Sequence, residues 1–315
     1  MRKLAFLLFL VGCYNEHTFR DCELACTDAL GCPGGLTCLG GMCRANGATI
    51  ACSESPIDAP GDVALSGVDA DDDGIDDAID NCLGLMNPGQ GDEDGDFKGD
   101  ACDPCPIGPS AQDDLDHDGD GVGNACDPTD DPSNHDRIFL FEAFNDTPGA
   151  GATHFGDGND SINAGAMHIA PGNMFTGYAW SAPDAAQLTI TTKMTIDSGG
   201  GNLYYAGTVD HVDPTSGSSG GACANKYDAT VGVRAFAYVN TIDGSSPTNG
   251  ITASSEFLEG APYTIKEQRV NGAEKCTRAD VSAAGFGSIQ SGGSFIGIGA
   301  NGAPATFDYV MVVGH

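Results

Sequence analysis

The chain has 315 residues and a formal net charge of −32, from 45 acidic and 13 basic side chains. This excess of negative charge disfavours binding to phosphate backbones, so no nucleic-acid partner is expected. Its 13 cysteines favour an oxidising compartment, where disulfides form and persist.

Residues 1–13 are typical of an export signal. Two basic residues precede an apolar run from Leu4 to Val11, which is too short to span a bilayer. The run ends in LVGC, which resembles a bacterial lipobox and implies that Cys13 is lipidated and becomes the new N-terminus. We therefore expect a lipid anchor at Cys13 in the outer membrane of a bacterial envelope, facing outward. An ordinary secretory signal is the alternative.

Residues 14–57 form the second predicted region, a small disulfide-rich module with many glycines. Its six cysteines are expected to form three bridges, whose connectivity the sequence does not determine. They are Cys22, Cys26, Cys32, Cys38, Cys43 and Cys52. A zinc cluster is the competing interpretation, but this stretch has no paired CxxC motifs and only His17 nearby. In composition the module resembles short epidermal-growth-factor-like or knottin-like units.

Residues 58–136 carry 24 acidic side chains against a single lysine, Lys98. Three loops in this segment place aspartate at positions 1, 3 and 5, a spacing that folds carboxylates around one Ca²⁺ ion. A glycine at position 6 permits the sharp turn, and later acids complete the ligand shell. The alternative is a disordered acidic linker, but such a linker would not keep this spacing in register with cysteines.

The expected calcium ligands follow this numbering in each loop. The first loop supplies Asp69, Asp71, Asp73, the Ile75 carbonyl, Asp77 and Asp80. The second supplies Asp92, Asp94, Asp96, Asp100 and Asp103. The third supplies Asp116, Asp118, Asp120, the Val122 carbonyl, Asn124 and Asp127. The second loop fits least well, because Phe97 and Lys98 stand where glycine and a small residue would ease the turn.

Cysteine spacing predicts one disulfide in each of two repeat units. Cys82 and Cys102 are 20 residues apart, and Cys105 and Cys126 are 21 apart. Each bridge would remove chain entropy worth about 3 kcal/mol in a segment with few apolar residues. A redox pair or zinc site at Cys102 and Cys105 is the competing interpretation, but each of these cysteines has a better partner within its repeat.

These residues resemble the thrombospondin type 3 repeat, whose units read as acidic loops ending in DNC, then NP and Q, then a loop ending in DACD. The chain has Asp80-Asn81-Cys82, then Asn87-Pro88 and Gln90, then Asp100-Ala101-Cys102-Asp103. The match covers about 60 residues and departs from the pattern at Leu83, where proline is usual, and at Phe97-Lys98. The resemblance implies a calcium-wrapped segment with little regular secondary structure.

Residues 137–315 are rich in glycine, serine, threonine and β-forming residues, and they predict an antiparallel β-sandwich. Hydrophobic side chains alternate at 186–197 and at 306–313, where we expect Phe307, Tyr309, Met311 and Val313 to share one face. Further strands are expected at 138–142, 202–209, 230–239, 263–270 and 295–300. Cys223 and Cys276 are the remaining cysteines, and we expect them to join a loop to a distant strand. The chain is thus predicted to be mainly β and multidomain.

The first and last predicted strands of this domain resemble those of concanavalin A-like jelly rolls, which include laminin G modules, legume-type lectins and some glucanases. In several such domains an acid near the first strand and an aspartate on the last hold a structural calcium. The resemblance implies that Glu142 and Asp308 could do so here. The loop 154–161 offers a further set of possible ligands, in Asp157, Asn159 and Asp160.

No catalytic motif was found, so the chain is not expected to be an enzyme. A jelly-roll glucanase needs two closely spaced carboxylates on its concave face, roughly as ExDxxE, and Glu259 and Glu267 stand alone in the sequence. We expect a calcium-dependent surface adhesin whose sandwich binds a glycan or a protein, with the repeats as a calcium-stiffened stalk. Possible sugar platforms are Trp180, Tyr178, Tyr204 and Tyr205. The alternatives are an envelope spacer without a ligand and, last, a glycoside hydrolase.

Overall fold

The computed structural model describes residues 37–39, 42–44, 67–109, 115–129, 131–133, 135–145, 147–183, 185, 187–198, 200–215, 220–230, 232–239, 249–253, 256–270, 273–278, 285–288 and 294–315. The predicted signal and most of the cysteine-rich module lie outside these residues. Of that module, one antiparallel hairpin is described, formed by β1 (Thr37–Leu39) and β2 (Met42–Arg44). The described ranges contain no helix long and apolar enough to cross a membrane.

All regular secondary structure in the described residues is β. The first half of the large domain contains β3 (Arg137–Glu142), β4 (Thr153–Phe155), β5 (Asn159–Asn163), β6 (Ala166–Ala170), β7 (Thr176–Ser181), β8 (Leu188–Ile196) and β9 (Leu203–Val212). The second half contains β10 (Gly221–Asp228), β11 (Val233–Val239), β12 (Asn249–Ala253), β13 (Pro262–Val270), β14 (Ala273–Arg278), β15 (Gly285–Ser288), β16 (Phe295–Asn301) and β17 (Ala305–Gly314).

These strands form two antiparallel sheets that pack face to face. The seven-stranded sheet has the order β12-β11-β10-β9-β16-β7-β4. The eight-stranded sheet has the order β15-β14-β13-β8-β17-β6-β5, and β3 also pairs with β17. Each sheet mixes strands from both halves of the domain, so most of the pairing is between segments far apart in sequence. The predicted antiparallel sandwich is confirmed.

The main hydrophobic core lies between the sheets. Leu188, Ile190, Met194 and Ile196 of β8 are all buried in it, as their alternation predicts. From the seven-stranded sheet, aromatic and small residues such as Phe236 complete the same cluster.

The last strand differs from its predicted pattern because it contains a bulge. The register of β17 against β8 shifts between Phe307 and Tyr309. A one-residue shift moves every later side chain to the opposite face. Phe307 therefore faces the core together with Val310 and Val312, whereas Met311 faces away from it. The prediction that residues 307, 309, 311 and 313 share one face is wrong.

The outward face of β17 packs against the end of the acidic segment. Cys105, Val122 and Cys126 form a buried cluster with Met311 and Val313. We call this set of five residues the repeat–sheet cluster. The repeats were expected to form a stalk that holds the sandwich away from the membrane, but the part of the segment around the third loop is instead packed onto the sandwich.

The structure joins the three cysteine pairs that the sequence predicts. They are Cys82–Cys102, Cys105–Cys126 and Cys223–Cys276. The third bridge was expected to join a loop to a strand. Both of its cysteines lie in strands, Cys223 in β10 and Cys276 in β14, so this bridge links the two sheets.

Candidate metal centres

The acidic loops bring their alternating aspartates together. In each loop, one carboxylate oxygen from each of positions 1, 3 and 5 lies within 4.8 Å of the others. The three sets are Asp69, Asp71 and Asp73; Asp92, Asp94 and Asp96; and Asp116, Asp118 and Asp120. This convergence is the arrangement on which the calcium prediction depends.

One backbone hydrogen bond recurs in the turn of each loop. The amide at position 6 donates to the position 1 carboxylate, at 2.9 Å from Gly74, 3.1 Å from Phe97 and 2.9 Å from Gly121. All three residues have positive φ, at 96°, 78° and 99°. Glycine adopts this conformation without strain, whereas Phe97 does not. The sequence pattern thus identified the residue that fits the turn badly.

The position 5 carboxylate also accepts a local amide in every loop. Asp73 accepts from Ile75 (2.8 Å), Asp96 from Lys98 (2.9 Å) and Asp120 from Val122 (2.9 Å). Each of these bonds uses the Oδ1 atom and fixes the orientation of the carboxylate. The loops therefore hold their aspartates in place with main-chain bonds of short sequence separation.

Several of the remaining carboxylate oxygens are buried and, among the described residues, have no hydrogen-bond donor. They are the Oδ2 atoms of Asp71, Asp118, Asp120 and Asp127. A polar atom that is shielded from water and lacks a partner is unfavourable, and more so when it is charged. Burial is the largest cause that raises the pKa of Asp71 and of Asp118, and the charge of a neighbouring aspartate raises it further. These oxygens are suited to a cation.

Side chains at positions 9 and 12 also accept hydrogen bonds from nearby backbone amides. Position 9 accepts the position 2 amide, as Asp100 does from Glu93 (2.9 Å) and Asn124 does from His117 (3.0 Å). Each acid at position 12 accepts the amide two residues later. Asp80 accepts from Cys82 (2.9 Å), Asp103 from Cys105 (2.8 Å) and Asp127 from Thr129 (2.7 Å). The Asp77 amide donates to the Val68 carbonyl at 2.9 Å.

A further acid that the sequence analysis missed joins the third loop. Oxygens of Asp120, Asp127 and Asp136 lie within 4.8 Å of one another, and Asp136 is 1% exposed. Asp136 also accepts a hydrogen bond from the Thr129 hydroxyl (2.6 Å) and lies 2.9 Å from His315 Nδ1. Burial and the neighbouring Asp136 raise the pKa of Asp127 to about 6. Asp136 lies outside the repeated spacing, so the sequence carried no signal for it.

The second loop also meets the sandwich. Burial raises the pKa of Glu93 to about 7, against the opposing effect of Lys193 on β8, and Asp308 on β17 raises it further. Burial likewise raises the pKa of Asp100 to about 6. Two of the three loops thus lie close to the eight-stranded sheet.

The structure gives Glu142 and Asp308 separate partners. Glu142 accepts hydrogen bonds from the amides of Phe144 (2.8 Å) and Gly149, and Asp308 pairs with Lys193 at 2.7 Å. No group of metal ligands in the described residues includes either acid. The calcium site implied for this pair by the jelly-roll resemblance therefore remains a prediction without geometric support.

The loop 154–161 is not an open ion-binding loop. Asn159 and Asp160 belong to β5, and Asp157 accepts the amides of Asn173 (3.0 Å) and Met174 (2.8 Å). Asp160 accepts a hydrogen bond from the Tyr178 hydroxyl (2.5 Å). Asp157 and Asp160 thus already accept hydrogen bonds from the surrounding strands and turns, and an ion site in this loop stays a prediction.

Three of the four aromatic residues expected as sugar platforms are buried. Trp180, Tyr204 and Tyr205 are 4%, 2% and 1% exposed, and Trp180 and Tyr204 belong to the main core. Tyr178 is half-buried and packs edge-on against His154. A sugar stacks on an exposed ring, so the first three residues do not provide such a surface.

Glu267 does not stand alone, as the sequence suggested. It lies close to Asp210 and Glu274, whose charges both raise its pKa, after burial as the largest cause. Glu259, the other acid noted in the sequence, accepts a hydrogen bond from the Tyr204 hydroxyl and pairs with Arg234 at 2.6 Å. Strands β9, β13 and β14 supply the three clustered acids, and this grouping depends on contacts that the sequence does not reveal.

No family model and no curated protein matches the chain. Solved structures with similar folds include the CBM2 module of Lactobacillus casei BL23 phage J-1 evolved Dit, at 10% identity, covering 56% of this chain and 95% of that one with a TM-score of 0.41. Carbohydrate binding module CBM66 from Bacillus subtilis is 17% identical, with coverage of 50% and 92% and a TM-score of 0.37. The GH43 protein BlXynB from Bacillus licheniformis is 14% identical, with coverage of 56% and 39% and a TM-score of 0.43. Similarity at this level carries no functional argument, and the description of the fold depends on the strand order above.

Proposed function

We propose that this chain is a calcium-binding protein of a bacterial envelope, with thrombospondin type 3 repeats at 58–136 as its calcium-binding segment. The observation that carries the proposal is the set of buried carboxylate oxygens without hydrogen-bond donors in the first and third of the three converging aspartate loops. Oxygen atoms in this density are the ligands that Ca²⁺ prefers. The chain's own part is to hold these oxygens in place through the recurring amide bonds.

Calcium would supply the positive charge that the loops lack. The third loop gains an acid from outside its repeat, because Asp120 and Asp127 meet the buried Asp136. Since Asp136 is bonded to Thr129 and lies against His315 of the sandwich, an ion there would fasten the repeat to the sandwich. In this proposal calcium is a structural component, and catalysis plays no part.

Calcium stoichiometry tests the proposal. Calorimetry and native mass spectrometry on the full chain, with and without chelator, should give at least two ions per molecule. Asp71→Asn and Asp118→Asn should each remove or weaken one ion, because each removes charge at position 3 of a different loop. Asp72→Asn is the matched control, since position 4 is outside the ligand set. Fewer than two ions per folded chain would contradict the proposal.

A second proposed function is binding of a glycan or a protein by the sandwich. A groove of about 450 Å³ beside the third loop supports it, with polar side chains from both sides, namely Asp136, Gln187, Gln268, Lys275 and His315. A glycan array on the full chain, with Lys275→Ala and Gln268→Ala as variants, tests this surface. Glu256→Ala, an exposed acid of the same domain, is the control. Binding that is unchanged in both groove variants would exclude this site. No binding at all would favour a spacer without a ligand.

The third component is a lipid anchor at Cys13, supported by the LVGC sequence. Acyl chains bind a bilayer through the hydrophobic effect, so chelator should leave the protein on membranes. Cell fractionation with and without chelator, together with fatty-acid labelling, should show that Cys13→Ser loses both label and attachment. A wild-type protein that carries no label and washes off in chelator would refute this assignment.

A further inference from the structure

Three carboxylates meet between the two sheets of the sandwich, well apart from the calcium loops in sequence. Asp210 comes from β9, Glu267 from β13 and Glu274 from β14, and they are 3%, 1% and 1% exposed. Glu267 lies opposite Cys276 in the sheet, so the disulfide that links the two sheets is beside them. Their positions are therefore fixed by both sheets at once.

The hydrogen bonds available to these acids are too few. Asp210 accepts the Gly221 amide at 3.1 Å through Oδ1, and its Oδ2 lies 2.8 Å from His211 Nδ1. The four carboxylate oxygens of Glu267 and Glu274 are buried and lack a hydrogen-bond donor of ordinary geometry in the described part of the chain. Thr208 is the neighbouring residue whose hydroxyl favours the charged form of Glu267.

Nearby positive charge does not balance these acids. Arg269 is the one cationic side chain among the described residues that line the small cavity here. His211 is the other titratable group in contact, through Asp210. Three buried carboxylates with one guanidinium require either bound protons or a bound cation, since an uncompensated charge in the interior is strongly unfavourable.

The cavity between the acids has the size of a single small occupant. It is about 10 Å³ in volume and is lined by the three carboxylates, Arg269 and apolar side chains. That is about the space of one water molecule and far too little for a sugar ring. A larger cavity of about 330 Å³ lies next to it, is lined by His211, and shares Arg269 and Ile296 with the small one. These two shared residues lie where an ion would pass from the larger cavity into the small one.

We propose that a divalent cation of the first transition row binds in this cavity, held by Asp210, His211 and Glu274, with Glu267 as a further carboxylate. One possible ligand atom from each of the first three residues lies within 4.8 Å of the others. Ions such as Zn²⁺ bind imidazole and carboxylate at about 2.0–2.2 Å, which suits ligand atoms this close. Ca²⁺ is less suited, because it needs six to eight oxygens and takes no imidazole here.

The backbone of His211 has an unusual conformation. Its φ is 49°, in the left-handed region that non-glycine residues seldom adopt, and β9 is irregular at this end against β16. Such strain persists where surrounding structure fixes it and is found at binding sites. Here it places the imidazole against Asp210, so the nitrogen donor and the carboxylate lie side by side.

Bound protons are the rival explanation, and metal content distinguishes the two. The full chain would be stripped with chelator, saturated with Ca²⁺ to fill the acidic loops, exposed to Zn²⁺ and desalted before elemental analysis. We expect one zinc per chain. Glu274→Gln and His211→Asn should each weaken zinc binding at least tenfold, and Glu256→Gln, which alters an exposed acid of the same domain, should leave it unchanged.

Cobalt provides a second measurement on the wild-type protein, so the test does not depend on the variants folding. Co²⁺ in place of Zn²⁺ should give visible absorption bands of a nitrogen- and oxygen-ligated ion, absent in His211→Asn. Wild-type protein without stoichiometric zinc would overturn the proposal and favour protons. An additional calcium ion that is lost in Glu274→Gln would overturn the transition-metal assignment.

Discussion

The acidic loops and the sandwich are held together by different kinds of contact. In residues 67–129 the recurring bonds join carboxylates to amides two to seven residues away, and two disulfides span most of the second and third loops. In the sandwich, strands far apart in sequence pair with one another, as β3 does with β17, around a core of large apolar side chains. Local contacts between like charges need a cation, whereas a buried apolar core is stable without one.

The two regions nevertheless share a boundary. The repeat–sheet cluster places a disulfide of the acidic segment against β17. Asp136 lies between the third loop and His315, the residue that follows β17. The third loop is therefore the place where the acidic segment, which we propose binds calcium, contacts the sandwich.

The largest expected effect is from the Cys105–Cys126 disulfide. Replacing both cysteines with alanine should cost about 3 kcal/mol through lost chain constraint. Because both sulfurs lie in the repeat–sheet cluster, this variant should also lower the unfolding temperature of the sandwich in calorimetry. Replacing Cys82 and Cys102, which enclose a loop of similar length, should spare the sandwich transition. Equal effects of the two variants on the sandwich would show that the cluster contributes nothing.

Asp120 belongs to two acid clusters, so its substitution should have the next largest effect. Asp120→Asn removes charge both beside Asp116 and Asp118 and beside Asp136. We expect the calcium affinity of the third loop to fall by about tenfold or more, measured by calorimetry. His117→Asn is the control, because position 2 lies outside the ligand set. A change of the same size in both variants would refute the assigned ligand positions.

Replacing Phe97 with glycine should stabilise the second loop. Phe97 is 89% exposed and has a φ of 78°, so its side chain adds strain and no packing. Phe97→Gly should stabilise the second loop by about 1 kcal/mol and strengthen its calcium binding. Gly121→Ala should do the opposite in the third loop, where φ is 99°. Chelator titrations of the two variants measure both effects, and a weaker second loop in Phe97→Gly would contradict this account.

The smallest expected effect concerns Asp157, in the sandwich. Hydrogen bonds from the amides of Asn173 and Met174 hold the pKa of Asp157 below its usual 3.8. A lowered folded-state pKa means that the unfolded chain binds the proton more tightly, so the carboxylate stabilises the fold at neutral pH and this is lost as pH falls below about 4. Asp157→Asn should be less stable than wild type at neutral pH, with the difference shrinking towards pH 2 or so. A constant difference across this range would contradict it.

The sequence predicted the parts of the molecule that follow a local repeat. Position 6 of each loop, the two disulfides of the acidic segment and the alternation in β8 could be read from spacing, and the Cys223–Cys276 bridge followed because these two cysteines remained. In the sandwich, β4, β5, β6, β7, β10, β12, β14 and β15 were not predicted, because they are short or because polar, glycine or alanine residues interrupt their alternation. In β14 the buried positions are Glu274, Cys276 and Arg278, which no hydrophobic pattern would mark as interior.

What the sequence could not predict depends on contacts between distant segments. Asp210 and Glu274 lie on strands far apart in sequence and meet in the folded sandwich, and Asp136 joins Asp120 and Asp127 from outside their loop. The bulge in β17 is a single extra residue, yet it decides that Met311 faces the acidic segment instead of the core. Tyr204 and Tyr205 looked like exposed ring surfaces and are buried, Tyr204 in the main core and Tyr205 in a second cluster with Phe155 and Phe175.

Residue-resolved hydrogen exchange on the full chain, with calcium and then with chelator, tests the central claim most directly. That claim is that cations hold the acidic loops and an apolar core holds the sandwich. Chelation should abolish protection of loop amides such as those of Gly74 and Gly121, which donate to carboxylates at 2.9 Å, while β9 and β16 stay protected. Loop amides that remain protected without calcium, or central strands that lose protection together with the loops, would contradict it.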